Sequence, residues 1–168
     1  TQSGGKFYVI GDYTSSGDMT LAVLGSLTVS AGTFYMSGST HTGSAATLYV
    51  GGDFAVSSGA TFTETGSGGC DVYFNGTTSQ LFTLGGTMSG TMNFTVNSGA
   101  TLQMGTGASP SVLSGGTNCA FTVASGGTLG VTSPAGITVA GTAAGNIQVT
   151  TRTYSAGASY IYNGTSAQ

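Results

Sequence analysis

The sequence predicts an all-β chain, wound as a right-handed parallel β-helix or β-solenoid with coils of irregular length; a β-sandwich is the alternative. Three observations lead there. Apolar and small polar residues alternate with period two, which gives a strand one buried and one solvated face. Clusters of Gly, Ser, Asn and Ala interrupt the alternation every few residues, as turns do. Short segments recur along the chain in related form, the mark of a repeat architecture.

The elements follow in order. "KFYVIGDY" from Lys6 recurs as "TLYVGGDF" from Thr47. "LTVSAGTFYM" from Leu27 recurs as "FAVSSGATFT" from Phe54, "FTVNSGATLQM" from Phe94 and "FTVASGGTLGV" from Phe121, each carrying Val, small residues with Gly, Thr, then a large apolar residue. "VYFNGTTSQLF" from Val72 recurs as "YIYNGTSAQ" from Tyr160. Alternation marks further strand pairs at Leu129 and Val131, Ile137 and Val139, and Ile147 and Val149. A helical apolar spacing is missing, and Glu, Lys, Arg and Gln, the strong polar helix formers, are scarce.

The Val-x-Ser-Gly segments start about 27, 40 and 27 residues apart. A solenoid of variable coils accommodates that, since each coil is too small for its own core and stacking supplies one. Coils of about 20 to 27 residues predict six to eight turns and a rod roughly 30–40 Å long. Gly and Asn then turn the corners, Val, Ile, Leu and Phe stack inward, and Thr and Ser face water. A sandwich gives no reason for internally similar coils, so the solenoid is preferred.

Composition narrows the function classes. Only 4% of the 168 residues are charged, 39% are hydrophobic and 31 are Gly. The apolar content and its regular placement argue against disorder. With a net charge of −3 and Lys6 and Arg152 as its cations, the chain lacks the basic cluster that nucleic acid requires. An apolar run long enough to span a membrane is not found. An initiator Met and a basic leader are missing, so any secretion signal is expected to lie outside this sequence. Scarce Lys and Glu with abundant Thr, Ser, Gly and Asn read as extracellular. Cys70 and Cys119 fit one disulfide or two buried thiols, and the sequence leaves that choice open.

The run from Gly127 to Gln168, with "GGDFAVSSGATFT" and "VYFNGTTSQLFTLGG", resembles the repeat regions of very large secreted or surface proteins of Bacteroidota. Those proteins often carry a type IX secretion sorting domain. The resemblance implies an adhesin-like β-solenoid at the bacterial surface, without established catalytic or ligand residues. Its partners would be other surface proteins, further copies of itself, or glycans. The end within "YIYNGTSAQ", where the first copy continues into Leu81 and Phe82, implies that residues 1–168 are a single solenoid segment of a longer repetitive chain.

The titratable inventory is short: Asp12, Asp18, Asp53, Glu64, Asp71, His41, Lys6, Arg152 and the two cysteines. Asp12 and Asp53 hold equivalent places in "IGDY" and "GGDF", so stacking could approach the paired carboxyls of a glycosidase. The simpler reading has Asp accept backbone N–H groups at a strand entry. His41 lacks a second metal-binding partner at a useful spacing. "GSGGCDVYF" around Asp71 is one broken copy of a calcium-binding string, and one copy cannot form a ladder. Thr-x-Thr stretches at Thr40, Thr61 and Thr151, which could bind ice, do not recur at one place in each unit. Asn75, Asn93 and Asn163 begin glycosylation sequons, and the preferred reading is that each is a corner residue capping a turn. Aromatics in "KFYVIGDY" and "YIY" could stack on sugar rings. The expectation is a non-enzymatic scaffold without catalytic, metal-binding or cofactor-binding residues.

Overall fold

The computed structural model describes residues 1–10, 17–38, 45–115 and 118–165. Its strands are β1 (Gln2–Ile10), β2 (Met19–Val23), β3 (Leu27–Ser37), β4 (Ala46–Val50), β5 (Phe54–Val56), β6 (Thr61–Thr63), β7 (Cys70–Phe74) and β8 (Ser79–Leu84). They continue with β9 (Thr87–Ser89), β10 (Met92–Val96), β11 (Thr101–Thr106), β12 (Ser109–Pro110), β13 (Ala120–Val123), β14 (Thr128–Val131), β15 (Thr151–Tyr154) and β16 (Ser159–Tyr162). Helix is absent among the described residues, and so is any helix long and apolar enough to cross a membrane.

The chain is a parallel β-solenoid of about five turns, and not a sandwich. One side is the six-stranded sheet β2, β4, β7, β10, β13 and β15. A second carries the start of β3, then β5, β8, β11, β14 and β16. The third holds the end of β3 with β1, β6 and β9. Strand β3 turns the corner between second and third sides at Gly32, where φ is +74° and the buried positions change phase from Leu27 and Val29 to Phe34 and Met36.

Turn lengths vary more than the motifs suggest. Thr20 pairs with Thr47, Cys70 with Met92, and Phe121 with Arg152, giving steps of 27, 22 and 31 residues. The described strands make about five coils in place of the six to eight expected, and one step is as long as 31 residues. Extra residues leave the coil between strands, where they disturb no ladder. The β11–β12 hairpin takes up one such segment, and residues 133–144 between β14 and β15 take up another.

The core is a set of columns running from turn to turn. Leu48, Val72, Phe94 and Phe121 form one, and Val50, Phe74, Val96 and Val123 the next. Across the interior, Phe54 stacks on Phe82 at 5.6 Å and meets Phe62 and Phe74 edge-on at 5.1 and 6.1 Å. Stacking in register lets identical shapes nest, and edge-on pairs tie the sides together. Ile147 and Val149 face inward and are buried, but they form no strand: Ile147 makes only an isolated parallel bridge to Leu113. Ile137 and Val139 are a correction: neither lies in a strand and Val139 is 77% exposed, because this stretch belongs to the segment that leaves the coil.

The 40-residue step has a structural cause. The Val-x-Ser-Gly motif is a corner that fits more than one edge of the solenoid. At Ser57–Ala60 it joins β5 to β6, second side to third; at Asn97–Ala100 it joins β10 to β11, first side to second. Both turns close with the N–H of Ala donating to the carbonyl three residues back, at 3.0 and 3.1 Å, around a Gly with φ near +80°. A side chain at that φ is strained, so the motif reports a backbone turn, not a place in the coil. The two "NGT" copies behave alike: Asn75 follows β7 on the first side, Asn163 follows β16 on the second.

Candidate functional site

The described acidic side chains act mainly between turns. Asp18 Oδ1 accepts the Ala45 N–H at 2.8 Å, and Asp53 Oδ1 accepts that of Leu81 at 2.8 Å. The Asp53 N–H in turn donates to Ser26 Oγ at 3.0 Å, so three successive turns are linked at one corner. Asp71 accepts from Asn93 Nδ2 at 2.9 Å in the next strand. The strand-entry reading of Asp53 therefore holds. Asp12 and His41 lie outside the described residues. Of the two matching segments only the strands can be compared: residues 6–10 in β1 pair with β3, and residues 47–50 in β4 pair with β2 and β7, so these strands lie on different sides.

Glu64 also accepts from the turn before it, but it alone of the described acids is buried. It is 3% exposed at the corner after β6, with Ser37 Oγ donating to its Oε1 and the Gly66 N–H donating to the same oxygen at 2.6 Å. Oε2 is buried without a hydrogen-bond partner. Burial pushes this carboxyl above the usual carboxylate range, against the pull of the Ser37 and Gly66 hydrogen bonds.

Cys70 and Cys119 are free and buried. Met92 lies between them: it pairs with Cys70, and its neighbour Asn93 pairs with Ala120. Two strand spacings put the cysteines about 10 Å apart, beyond the reach of a disulfide. Burial pushes the Cys70 thiol well up, and nearby Glu64 and Asp71 push it further. Cys119 Sγ–H donates to the Gly90 carbonyl at 3.1 Å.

Arg152 occupies the inward column below Phe121. Its guanidinium reaches into the segment after β14, donating to the carbonyls of Thr138, Val139 and Thr142 at 3.1, 2.6 and 2.7 Å and to Thr138 Oγ1 at 2.6 Å. Its Nε donates to the Val149 carbonyl at 3.1 Å. Lys6 lies over the Tyr35 ring at 5.9 Å. Among the described residues, a cluster of three groups able to hold a metal is not formed.

Two buried amides organise the corners. Gln80 Nε2 donates to the carbonyls of Val50 and Gly52 at 2.8 and 2.6 Å, and its Oε1 accepts the Gly76 N–H at 2.8 Å. This explains Gln at the end of "NGTTSQ": it folds back on its own Gly and grips the turn above. Asn146 Nδ2 donates to the Ser111 carbonyl at 2.8 Å while its Oδ1 accepts the N–H groups of Thr132 and Ser133 at 2.9 and 2.8 Å. Neither role is legible in the sequence, where a lone amide carries no sign of burial.

The outward ranks are mixed. On the first side one rank reads Thr20, Thr47, Asp71, Asn93, Ala120, Thr151, and its neighbour Ala22, Tyr49, Tyr73, Thr95, Thr122, Thr153. Here only β15 offers outward Thr-x-Thr. Thr61 and Thr63 are not a solvated pair, since Thr63 is buried and bonded to Ser89, and Thr40 lies outside the described residues. Of the sequon residues, Asn93 is held by Asp71, and Asn163 forms a reciprocal amide pair with Gln103 at 3.0 and 2.8 Å. That pair spans the rung between them because Gly130 leaves its place open. Tyr8 stacks on Tyr35 at 4.5 Å, and Tyr49 on Tyr73 at 5.0 Å.

Fold and surface thus define a parallel β-solenoid whose polar side chains are used largely to join one turn to the next. No known protein family, curated protein or solved structure matches this chain.

Proposed function

We propose that the chain is a structural segment of an extracellular bacterial surface protein, an adhesin, fibre or stalk of the kind its repeats resemble in Bacteroidota, and that it is not an enzyme. The observation carrying this reading is the use made of its few charged groups. Asp18, Asp53 and Asp71 each accept a hydrogen bond from the adjacent turn, and Arg152 donates to the carbonyls of Val139 and Thr142. Groups engaged in this way resist separation of the turns and are not convergent on a substrate. The continuous columns add stiffness, and the low-charge outer ranks offer weak contacts that gain strength by repetition along a longer array.

Single-molecule pulling between two marker domains tests the scaffold. It should resist extension and then yield in steps, because the turns are joined by parallel ladders. Extension at the low force of an unstructured linker would refute the reading, as would turnover of a polysaccharide by the purified chain.

A further inference from the structure

The Tyr49–Tyr73 stack ends abruptly. In this rank the residue before Tyr49 is Ala22, so one face of the Tyr49 ring meets a methyl group where a third ring would fit. The space left is part of a groove of about 440 Å³, within the range of small-ligand sites. Ala22, Val23 and Leu24 line its upper part, Tyr49 and Gly51 its middle, and Asn75, Gly76 and Thr77 its lower part. It therefore runs along the solenoid axis across three turns.

The floor owes its depth to glycine. A Cβ on Gly51 would stand 2.4 Å from the Leu24 carbonyl oxygen, and one on Gly76 2.5 Å from that of Gly51. The turns close up there to a distance that excludes side chains. Three backbone N–H groups along the groove are already paired: that of Gly51 donates to Val23, that of Asn75 to Val50 and that of Gly76 to Gln80 Oε1. An added peptide strand would find no ladder on this floor. What the groove offers is one aromatic face, the exposed side chains of Asn75 and Thr77, and Leu24, 92% exposed. Lys, Arg and His are missing from the lining, and Asp71 lies two residues from Tyr73, so an anionic ligand is disfavoured.

We propose that this groove binds a neutral glycan, with one sugar ring taking the place of the missing third ring on Tyr49 and its hydroxyls meeting Asn75 and Thr77. A pyranose has the required character, an apolar C–H face with a rim of hydroxyls. The site rests on the scaffold reading, of which it would be one weak contact repeated along an array.

The test uses the purified chain with cellohexaose, mannohexaose and xylohexaose, read by tyrosine fluorescence and by NMR line broadening. At least one should bind, and Tyr49→Ala should weaken it roughly tenfold, the value of one aromatic stack. Ala22→Tyr should abolish binding by filling the space with a ring, while preserving or raising the melting temperature. Failure of all three sugars to bind, or unchanged binding by Ala22→Tyr, overturns the site. Neither result touches the scaffold reading, which the pulling experiment decides separately.

Discussion

Replacing Gln80 with Leu sets two kinds of stabilisation against each other. Gln80 is fully buried on the second side, and the residues below it in the column are Leu102 and Leu129. On apolar burial alone, Gln80→Leu extends a leucine stack and should gain about 1.5–2 kcal/mol. The hydrogen bonds argue the other way. The Val50 carbonyl keeps the Asn75 N–H as a partner at 3.1 Å, but the Gly52 carbonyl loses Gln80, as does the Gly76 N–H. Each buried group left unsatisfied costs about 1–3 kcal/mol, or about 2–6 for the pair. The difference is a net loss of up to about 4.5 kcal/mol, centred on about 2 kcal/mol. Urea unfolding followed by circular dichroism should show a lower midpoint with an unchanged slope. A midpoint equal to or above that of the parent chain would refute the claim that Gln80 holds this corner.

Phe54→Ala removes the ring that meets Phe62, Phe74 and Phe82, and should cost about 3–5 kcal/mol by the same urea assay. For Glu64 the sign follows from its raised pKa. Below the ordinary value of 4.5 both folded and unfolded carboxyls are protonated and no penalty arises. As pH rises past it the unfolded chain releases its proton first, so stability falls until the folded carboxyl also ionises. Glu64→Gln should flatten that fall and be more stable than the parent at pH 8; an unchanged pH profile would count against the buried acid. Cys70 and Cys119 should resist a thiol reagent in the native state and react together on unfolding, with identical electrophoretic mobility before and after reduction; a reduction-dependent shift would contradict their separation. Gly99→Ala, at φ +80° with open space around the site, should cost about 1–2 kcal/mol. Gly90→Ala should cost far more, since its Cβ would fall 1.9 Å from the Glu64 carbonyl oxygen; equal effects on the melting curve would refute the corner geometry.

Sequence by itself determined the strands, the inward and outward assignment along most of them, and the solenoid class. Those properties follow from period-two alternation and local turn chemistry, which act within a few residues: Phe94 and Val96 point inward because the pleat alternates, and Gly59 and Gly99 turn because a positive φ suits glycine. Tertiary structure alone decided which strand lies on which other. The Val-x-Ser-Gly and Asn-Gly-Thr corners fit several edges of the coil, so similar words fall on different sides, and the strands of "KFYVI" and "TLYV" are not neighbours. It also decided what the few polar residues do. Gln80 and Asn146 become corner clamps, Cys70 and Cys119 are kept apart by Met92, and Ala22 leaves one face of Tyr49 uncovered, each through at least one partner 22 to 35 positions away in sequence. Register between turns is set by packing across the whole interior, and no local stretch of sequence records it.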